Sequence, residues 1–493
     1  MDPFQFQHSY QQAGAQFARA CQPTAVPAPA LISVNLPLAD QLGLALGEVD
    51  QAQLADWCSG NRLPPSARPV ALAYAGHQFG GFAPQLGDGR AVLLGEVVDG
   101  QGQRHDIQLK GAGRTPFSRG GDGRAALGPV LREYLLMEAM AALGVPTTRA
   151  LACVVTGESV YRDTTLPGAV LTRVAASHIR VGTFEYFAAR NDLDSLGQLV
   201  DYTLTRHYPD LVSQPQPVLA LFDAVCQRQA ELIAQWMSIG FIHGVMNTDN
   251  VAISGETLDY GPCAFMDMFD PQTVFSSIDN AGRYAWQMQP AVGQWNMARF
   301  AECLLPLLIP LLGEQQALEA LTGRVRDFLS RYQAAWLARM AGKLGLARPC
   351  AMDQPLIDDL LTLLAAQRVD FTLLFDALAD SHSGAPEQTP AAQLFAEPQG
   401  WLSWAARWRQ RLAAEADDSA AITARMQRMN PAVIPRNHRV ESAIQQAVDK
   451  ADFSEFERLQ RVLAQPFAVS EADRHWLAPP AGSEQVYQTF CGT

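Results

Sequence analysis

One segment near the middle of the chain constrains its fold more than any other. This central segment (residues 243–261) begins His-Gly-Val-Met-Asn-Thr-Asp-Asn and ends, after a short predicted hairpin, in Asp259-Tyr260-Gly261. The hairpin would bring the side chains of Asn250 and Asp259 together. Amide and carboxylate oxygens are protein ligands that suit Mg²⁺ when phosphate oxygens complete its shell. The segment therefore predicts a metal site beside a bound phosphate, the alternative being an ordinary turn closed by Gly261.

The spacing within the central segment matches a protein-kinase catalytic loop with one substitution. Kinases carry the pattern His-Arg-Asp-x-x-x-x-Asn and then Asp-Phe-Gly, in which the first Asp handles the acceptor hydroxyl and the later residues hold metal. Here Val245 occupies the first Asp position, and it can neither accept a proton nor bind a cation. Asp249 is the carboxylate that could replace it, orienting an acceptor hydroxyl, while a turn-forming role is its alternative. His243 is expected to hold the loop by hydrogen bonds rather than to transfer protons.

The rest of the sequence divides into three regions of different character. Residues 1–66 read as an irregular N-terminal extension punctuated by prolines. Residues 67–184 contain strand-like runs and one amphipathic helix, and residues 185–493 are mainly helical. This order predicts an α+β, two-lobed protein-kinase-like fold. It has an N-terminal extension, a strand-rich nucleotide-binding N-lobe and a large helical C-lobe with the catalytic loop and a C-terminal tail.

Lys110 ends the second strand of a predicted hairpin formed by residues 91–98 and 105–110. In kinases a strand lysine contacts the phosphates of ATP and pairs with a glutamate of the following helix. The helix predicted over 127–143 offers Glu133 and Glu138, and Glu133 is the predicted partner because it is nearer the helix start. The alternative is a surface lysine beside a solvated helix face.

Glycine and arginine alternate in two loops that flank this hairpin. The loops are residues 87–90 and 121–124, each with the sequence Gly-Asp-Gly-Arg. Glycines allow backbone N–H groups to approach a phosphate, and arginine adds a planar fork of donors. Arg173 and Arg180 close the strand-rich region. Arginines kept beside glycine loops predict polyphosphate binding, although each alone could be an ordinary turn or a surface ion pair.

Composition limits the partners and the compartment. A net charge of −13 and a pI near 5.2 argue against non-specific nucleic-acid binding and against an anionic membrane surface. Eight cysteines are scattered singly without a Cys-x-x-Cys pair, which favours a reducing compartment. The N-terminus lacks a basic region followed by an apolar run, and the most apolar segment, 304–312, is far shorter than the roughly 20 residues that span a bilayer. We expect a cytoplasmic protein without nucleic-acid or membrane partners.

Long segments of the chain resemble the selenoprotein O (YdiU) family, and the resemblance covers nearly the whole sequence. These segments are residues 74–96 (YAGHQFGGFAPQLGDGRAVLLGE), 106–135 (DIQLKGAGRTPFSRGGDGRAALGPVLREYL), 243–267 (HGVMNTDNVAISGETLDYGPCAFMD), 282–290 (GRYAWQMQP) and 490–493 (FCGT). The first three are absent from ordinary kinases in this form.

The resemblance implies a kinase-like fold that binds ATP in a flipped orientation, so that the α-phosphorus faces the acceptor. The product would be AMP esterified to a Ser, Thr or Tyr hydroxyl of a protein, with pyrophosphate leaving. Some bacterial relatives are thought to use UTP with Mn²⁺, so ATP or UTP and Mg²⁺ or Mn²⁺ are the implied co-substrates and metals. The residues implied for nucleotide are Gly87, Gly89, Arg90, Lys110, Asp122, Gly123, Arg173, Arg180 and Asp259. Asp249 would be the base, Asn250 and Asp259 would hold the metal, and Glu133 would support Lys110.

Two alternatives to nucleotide transfer stay open. A kinase-type phosphotransferase is one, since His243-Gly244 also resembles aminoglycoside kinases, and a nucleotide-binding pseudokinase is the other. Cys491 stands where some family members carry selenocysteine. A redox role would need a partner cysteine; residues 269–284 contain none and Cys263 is the nearest in sequence, so a free terminal thiol is an equal interpretation.

Overall fold

The computed structural model describes residues 2–486, 488 and 489, so Cys491 lies outside the described residues. Its strands are β1 (Ala18–Ala20), β2 (Ala30–Val34), β3 (Val70–Leu72), β4 (Gly76–Gln78), β5 (Gly81–Ala83), β6 (Ala91–Val98), β7 (Arg104–Lys110), β8 (Ala125–Ala126), β9 (Arg149–Tyr161), β10 (Thr165–Ala175), β11 (Phe241–Ile242) and β12 (Ala264–Phe265). Its helices are α1 (Ser9–Ala13), α2 (Leu36–Gln41), α3 (Gln51–Ser59), α4 (Leu127–Ala142), α5 (Val181–Ala188), α6 (Leu193–His207), α7 (Pro217–Ser238), α8 (Gln289–Leu312), α9 (Glu314–Lys343), α10 (Gln354–Gln367), α11 (Phe371–Ala377), α12 (Pro398–Ala413), α13 (Ser419–Met429), α14 (Asn437–Lys450) and α15 (Ser454–Leu463).

An antiparallel sheet organises the first third of the chain, and helices make up most of the remainder. The strand order is β1-β3-β6-β7-β10-β9-β2, with β8 paired to β10. Seven of the eight residues of β6 are buried. Such continuous burial is typical of sheets covered on both faces. On one face α4 supplies Leu131, Tyr134 and Leu135 to the core, and on the other α3 supplies Leu54 and Trp57.

Most elements lie where the sequence predicts them. Residues 91–98 form β6, residues 217–238 form α7, and the helix predicted over 127–143 is α4. Pro217 stands at the start of α7, where its missing N–H has no helical partner to lose. The α+β class is therefore confirmed. The predicted strand pair within 250–259 is reduced to one antiparallel bridge, Val251↔Thr257, because only five residues lie between its two sides.

The prediction that residues 1–66 are irregular is wrong, because this region contains β1, β2 and the helices α1, α2 and α3. β1 pairs with β3 and β2 pairs with β9, so this region provides both edge strands of the sheet. α2 and α3 then cover one of its faces. The strands are three and five residues long, and β2 joins a partner more than 100 residues away, so no local pattern signals them. The division of the chain at residues 66 and 184 stays a prediction.

One helical stretch, Trp286–Leu312, is long and apolar enough to cross a membrane by length and composition. A core helix passes the same test, and this stretch includes α8, which packs against α7 and α9 with Phe300 and Leu304 fully buried. Pro306 and Pro310 interrupt its last turns. Its apolar character is therefore weak evidence for a membrane span.

Lys343, at the end of α9, should make the stability of the fold depend on pH. Its side chain is buried with its Nζ 4.3 Å from the ring centroid of Phe375, and burial lowers its pKa to about 7. Between about pH 7 and the ordinary lysine pKa of about 10.4, the unfolded chain binds a proton that the folded chain does not, so the free energy of unfolding rises with pH. Lys343→Met should raise the urea midpoint at pH 7 and flatten its rise towards pH 9.5.

The exposed Lys450 provides the matched control for this measurement. Lys450→Met should leave both the urea midpoint and its pH dependence close to those of the unchanged protein. A Lys343→Met variant whose difference from the unchanged protein is the same at pH 7 and pH 9.5 would show that Lys343 is charged in the folded state throughout.

Candidate active site

A deep cleft separates the sheet from the central segment. It consists of two adjoining cavities of about 430 and 520 Å³. The residues shared by both cavities are Arg90, Lys110, Arg119 and Asp259. The smaller cavity also reaches Asp249 and Asn250. The larger one extends along the glycine-rich loops that precede β6 and follow β7.

The larger cavity is strongly cationic although the chain is acidic. Eight basic side chains line it against three carboxylates. The basic residues are Arg90, Lys110, Arg114, Arg119, Arg124, Arg162, Arg173 and Arg180, and the carboxylates are Asp88, Asp122 and Asp259. Fixed positive charge on low-dielectric walls concentrates anions. The cavity is therefore suited to a ligand with several negative charges.

Glycines are required where the loops of this cavity turn. Gly87 has φ +72°, and a Cβ there would lie 2.3 Å from the ring of Phe117. Gly123 has φ +71°, and a Cβ there would lie 2.0 Å from the carbonyl oxygen of Gly113. A side chain at either position would be strained by the backbone conformation and by the contact. The two loops can approach a ligand closely because these positions carry no side chain.

A continuous series of buried polar contacts links the sheet to the central segment. Lys110 Nζ donates to Glu133 Oε2 at 2.6 Å and also to the carboxylate of Asp259. Glu133 Oε1 accepts from Arg173 at 3.2 Å. Arg173 continues the series by donating to Gln108, whose side-chain amide donates to Asp88 Oδ2 at 2.9 Å. The predicted Lys110–Glu133 contact is present, and Glu138 instead binds Arg149.

Asp259 is held in a conformation that few non-glycine residues adopt. Its φ is +70°, in the left-handed region that Asp tolerates better than most residues. Burial alone would raise its pKa, but the charges of Lys110 and Arg173 outweigh burial and hold that pKa well below its usual range. The next residue, Tyr260, is buried and hydrogen-bonds Thr147 on the sheet side. Asp259 is therefore a fixed, ionised oxygen donor at the junction of the two cavities.

His243 fixes the shape of the central segment. Its Nε2–H donates to the carbonyl of Leu258 at 3.2 Å, next to Asp259, and its Nδ1 accepts from the backbone N–H of Val245 at 3.4 Å. Burial lowers the pKa of His243, which keeps the ring neutral for this arrangement. The predicted hydrogen-bonding role of His243 is confirmed. Asn250 Nδ2 donates to the carbonyl of Val245 at 3.0 Å, which leaves Asn250 Oδ1 as its potential ligand atom.

Asp249 combines deep burial with an incomplete set of hydrogen bonds. Its Oδ2 accepts from Gln78 Nε2 at 3.3 Å, while its Oδ1 is buried without a hydrogen-bond partner among the described residues. Burial raises the pKa of Asp249 to about 6, although the nearby charge of Arg180 acts in the opposite direction. Arg180 also donates to the backbone carbonyl of Asp249 at 3.1 Å and stacks on Tyr74. A carboxylate of this kind can accept a proton or bind a cation.

The hairpin formed by β4 and β5 (residues 76–83) lies against the central segment and was missed by sequence reasoning. Phe79 and Gly80 at its tip both have positive φ, as a type I′ turn requires. Gln78 and Phe79 line the smaller cavity together with Asp249. The run YAGHQFGG lies within a family segment, but neither Gln nor Phe titrates and the two strands are three residues each, so no chemical signal singled them out.

The residues present fit a divalent cation. Asp259 offers an ionised carboxylate and Asn250 an amide oxygen, and both line the smaller cavity. The unpartnered buried Oδ1 of Asp249 is a further oxygen in the same cavity wall. Mg²⁺ needs only one or two protein oxygens when substrate phosphates and waters supply the rest. Among the described residues no cluster of three or more His, Cys, Asp or Glu side chains forms a self-sufficient metal site.

The residues predicted to bind the nucleotide, hold the metal, act as the base and support Lys110 all lie along this cleft. Those around the larger cavity are Gly87, Gly89, Arg90, Lys110, Asp122, Gly123, Arg173, Arg180 and Asp259. Those around the smaller cavity include Glu133, Asp249 and Asn250. The carboxylate of Asp122 binds Arg162 at 2.8 Å and accepts from the backbone N–H of Arg124 at 2.9 Å. These contacts hold the glycine-rich loop and a neighbouring arginine, and the binding of nucleotide by Asp122 stays a prediction.

Comparison with known proteins gives a consistent result. The family described as protein adenylyltransferase SelO matches residues 2–464. The protein nucleotidyltransferase YdiU of Rhizobium leguminosarum bv. trifolii is 56% identical over 490 residues, covering 99% of this chain and 97% of the relative. YdiU proteins of Rhodopseudomonas palustris and of a Bradyrhizobium species are 54% and 55% identical over 490 residues, each covering 99% of both chains.

Proposed function

Because the chain belongs to the SelO protein adenylyltransferase family, we propose that it transfers AMP from ATP to hydroxyl side chains of proteins and releases pyrophosphate. UTP, with UMP as the transferred group, is the second nucleotide to test. The observation that carries the proposal is the position of Asp249 beside a cation-lined cleft. Asp249, Arg90 and Lys110 all line the smaller cavity, and Arg90 and Lys110 continue into the larger one.

The larger cavity supports release of pyrophosphate rather than transfer of the terminal phosphate. We place the β- and γ-phosphates among its eight basic side chains and the α-phosphate at the junction with the smaller cavity. As the bond between the α-phosphorus and its bridging oxygen breaks, negative charge grows on the leaving pyrophosphate. Preorganised donors aimed at developing charge are the main catalytic contribution in such transfers. Arg173 and Arg180 are held in place by Gln108 and Tyr74 for this purpose.

Asp249 acts on the acceptor hydroxyl, at the opposite side of the α-phosphate from the leaving pyrophosphate. The acceptor oxygen forms a bond to the α-phosphorus, its proton passes to the Asp249 carboxylate, and pyrophosphate leaves with the electrons of the broken bond. The buried Oδ1, which lacks a partner among the described residues, and the raised pKa both support proton acceptance at this residue. Val245 leaves no second carboxylate at the ordinary kinase position.

Asn250 and Asp259 are the residues that would hold Mg²⁺ or Mn²⁺. When bound, the cation would neutralise charge on the α-phosphate. Asp259 is prepared for this by the low pKa that Lys110 and Arg173 impose on it. Lys110 in turn is oriented by Glu133, so the pair would keep one cation near the phosphate chain, beside the metal that Asp259 would hold.

A two-lobed, protein-kinase-like arrangement is part of the proposal. The Lys110–Glu133 pair between a sheet strand and the following helix supports it, as do the His243 contacts and the Asp259-Tyr260-Gly261 sequence. A cytoplasmic location, protein substrates, and the lack of nucleic-acid or membrane partners are also proposed. The net charge of −13 supports the last of these.

Parallel incubation with ATP labelled at the α-phosphate and ATP labelled at the γ-phosphate tests the function. We expect only the α-label to reach protein, with a mass increase equal to an AMP group and release of pyrophosphate. The same pair of labels on UTP decides between the two nucleotides. Protein that acquires the γ-label instead would be a kinase. No label from either nucleotide, with nucleotide still bound, would leave a binding protein without transfer activity.

A further inference from the structure

The β4–β5 hairpin is attached to the central segment by its backbone. The N–H of His77 donates to Thr248 Oγ1 at 2.6 Å, and the N–H of Phe79 donates to Asn247 Oδ1 at 3.0 Å. Asn247 also accepts from the hydroxyl of Tyr284 at 2.7 Å. The two residues that precede Asp249 are therefore both hydrogen-bonded to the hairpin, and Gln78 lies between their partners.

A buried carboxylate on α5 strengthens this attachment. Glu185 is 4% exposed, its Oε1 lies 2.6 Å from His77 Nδ1, and its Oε2 accepts from Thr248 Oγ1 at 2.5 Å. One side chain thus joins the hairpin, the central segment and a helix. Networks of this kind fix geometry because every member is held by more than one neighbour. The hairpin is therefore attached to the central segment and to α5 by several hydrogen bonds.

The hairpin contacts the Asp249 carboxylate at both oxygens. Gln78 Nε2 donates to Oδ2 at 3.3 Å. An ionised carboxylate only accepts, so the amide nitrogen and not the amide oxygen must face it. At the other oxygen, a Cβ on Gly76 would lie 2.6 Å from Oδ1, so the absence of a side chain there makes the room that the carboxylate occupies.

We propose that Gln78 is a positioning residue of the transfer reaction, which fixes the Asp249 carboxylate at the angle where it takes the acceptor proton. Gly76 completes this arrangement by leaving space for the carboxylate. The inference rests on the proposed function because it requires Asp249 to act on an acceptor hydroxyl. Small errors in the orientation of a reacting group reduce rates strongly, by about 10²-fold for a displacement of about 1 Å. Gln78 is therefore expected to affect turnover and not nucleotide binding.

Gln78→Ala tests this role against Gln85→Ala, a matched change at an exposed glutamine just beyond the hairpin. With labelled ATP and a fixed protein acceptor, kcat should fall about 10- to 100-fold in Gln78→Ala, while KM and Kd for ATP change less than about twofold. Gln85→Ala should match the unchanged protein. Unchanged kcat in Gln78→Ala would overturn the proposal, and so would a loss accompanied by equally weakened ATP binding or by a lower unfolding temperature.

The space around Asp249 Oδ1 is tested by adding a side chain at Gly76. Gly76→Ala introduces a methyl group against Oδ1 in a conformation that alanine accepts, since the φ of Gly76 is outside the left-handed region. Its control is Gly100→Ala in the β6–β7 turn, where a Cβ meets nothing within 4 Å. Gly76→Ala should lower kcat at constant Kd for ATP, and Gly100→Ala should not. Equal kcat in Gly76→Ala and Gly100→Ala would overturn the arrangement.

A double substitution separates action through Asp249 from action elsewhere. If Gln78 works only by orienting this carboxylate, Gln78→Ala should have no further effect on the residual rate of Asp249→Asn. If Gln78→Ala lowered the rate of Asp249→Asn by the same factor as it lowers the rate of the unchanged protein, Gln78 would act in another step and the proposal would be overturned. The activity of the unchanged protein shows whether the inference about Gln78 fails or the proposed function itself fails. If it transfers the α-label but Gln78→Ala equals it, the inference alone fails; if it transfers none, the proposed function fails.

Discussion

Asp249→Asn should reduce nucleotide transfer by about 10²- to 10⁴-fold, the range that a general base contributes. Asparagine has the shape of aspartate and can still accept from Gln78, but its amide cannot take the acceptor proton. The affinity for ATP should change little, because Asp249 does not line the larger, cation-lined cavity in which we place the β- and γ-phosphates. Initial rates with α-labelled ATP and binding of ATP measured by calorimetry check both parts.

The unfolding temperature provides an internal control for Asp249→Asn. Removing a buried charge whose Oδ1 has no hydrogen-bond partner among the described residues should leave the fold as stable or make it more stable, since burying an incompletely paired charge is costly. Asp327→Asn, an exposed carboxylate in the middle of α9, is the matched substitution and should have full activity. If Asp249→Asn kept more than about a tenth of the activity, another group would have to accept the proton.

Lys110→Met should lower transfer by about 10²- to 10³-fold and, in contrast to Asp249→Asn, should also weaken ATP binding. Lys110 is a cation shared by both cavities, and its loss leaves Glu133 and Asp259 with Arg173 as their remaining close cation among the described residues. Two carboxylates would then repel an incoming phosphate chain. The measurement is the dependence of the initial rate on ATP concentration, together with Kd for ATP.

Two companion variants sharpen the interpretation of Lys110→Met. Lys450→Met removes an exposed lysine and should alter neither rate nor affinity. Glu133→Gln keeps a hydrogen-bond acceptor for Lys110 and should reduce transfer less than Lys110→Met does. Full activity in Lys110→Met would remove this residue from the site, and a loss caused wholly by unfolding would reduce it to a structural role.

The sequence predicted those parts of the fold that are recorded in local patterns. Helix α7 is marked by a proline at its start and helical periodicity, and β6 and β7 are marked by strand-like runs joined by a glycine-containing turn. The edge strands β1 and β2 leave no such mark, because their stability comes from partners far along the chain. Whether a short strand forms depends on its tertiary contacts, and the periodicity of the local sequence does not reveal those contacts.

The residues of the candidate site also divide into those that the sequence predicted and those that it did not. Lys110, Glu133 and Asp259 were found because charged residues at kinase-like spacing indicate a phosphate and metal site, and the structure brings them into contact. Gln78 and Gly76 were not found, because their contribution lies in where a neutral amide and a missing side chain stand relative to Asp249. Charge and spacing are visible in the linear sequence. The contacts that Gln78 and Gly76 make with Asp249 exist only in the folded chain.

The two edge strands near the N-terminus also affect the order in which the sheet can assemble while the chain is being synthesised. β2 pairs with β9, which the ribosome makes more than 100 residues later. At about 5–20 residues per second, the nascent chain waits roughly 6 to 25 seconds before that partner emerges. During this interval β2 and the part of α3 that packs on β9 lack this partner. β2 can therefore join the sheet only after β9 has been made, long after its own synthesis.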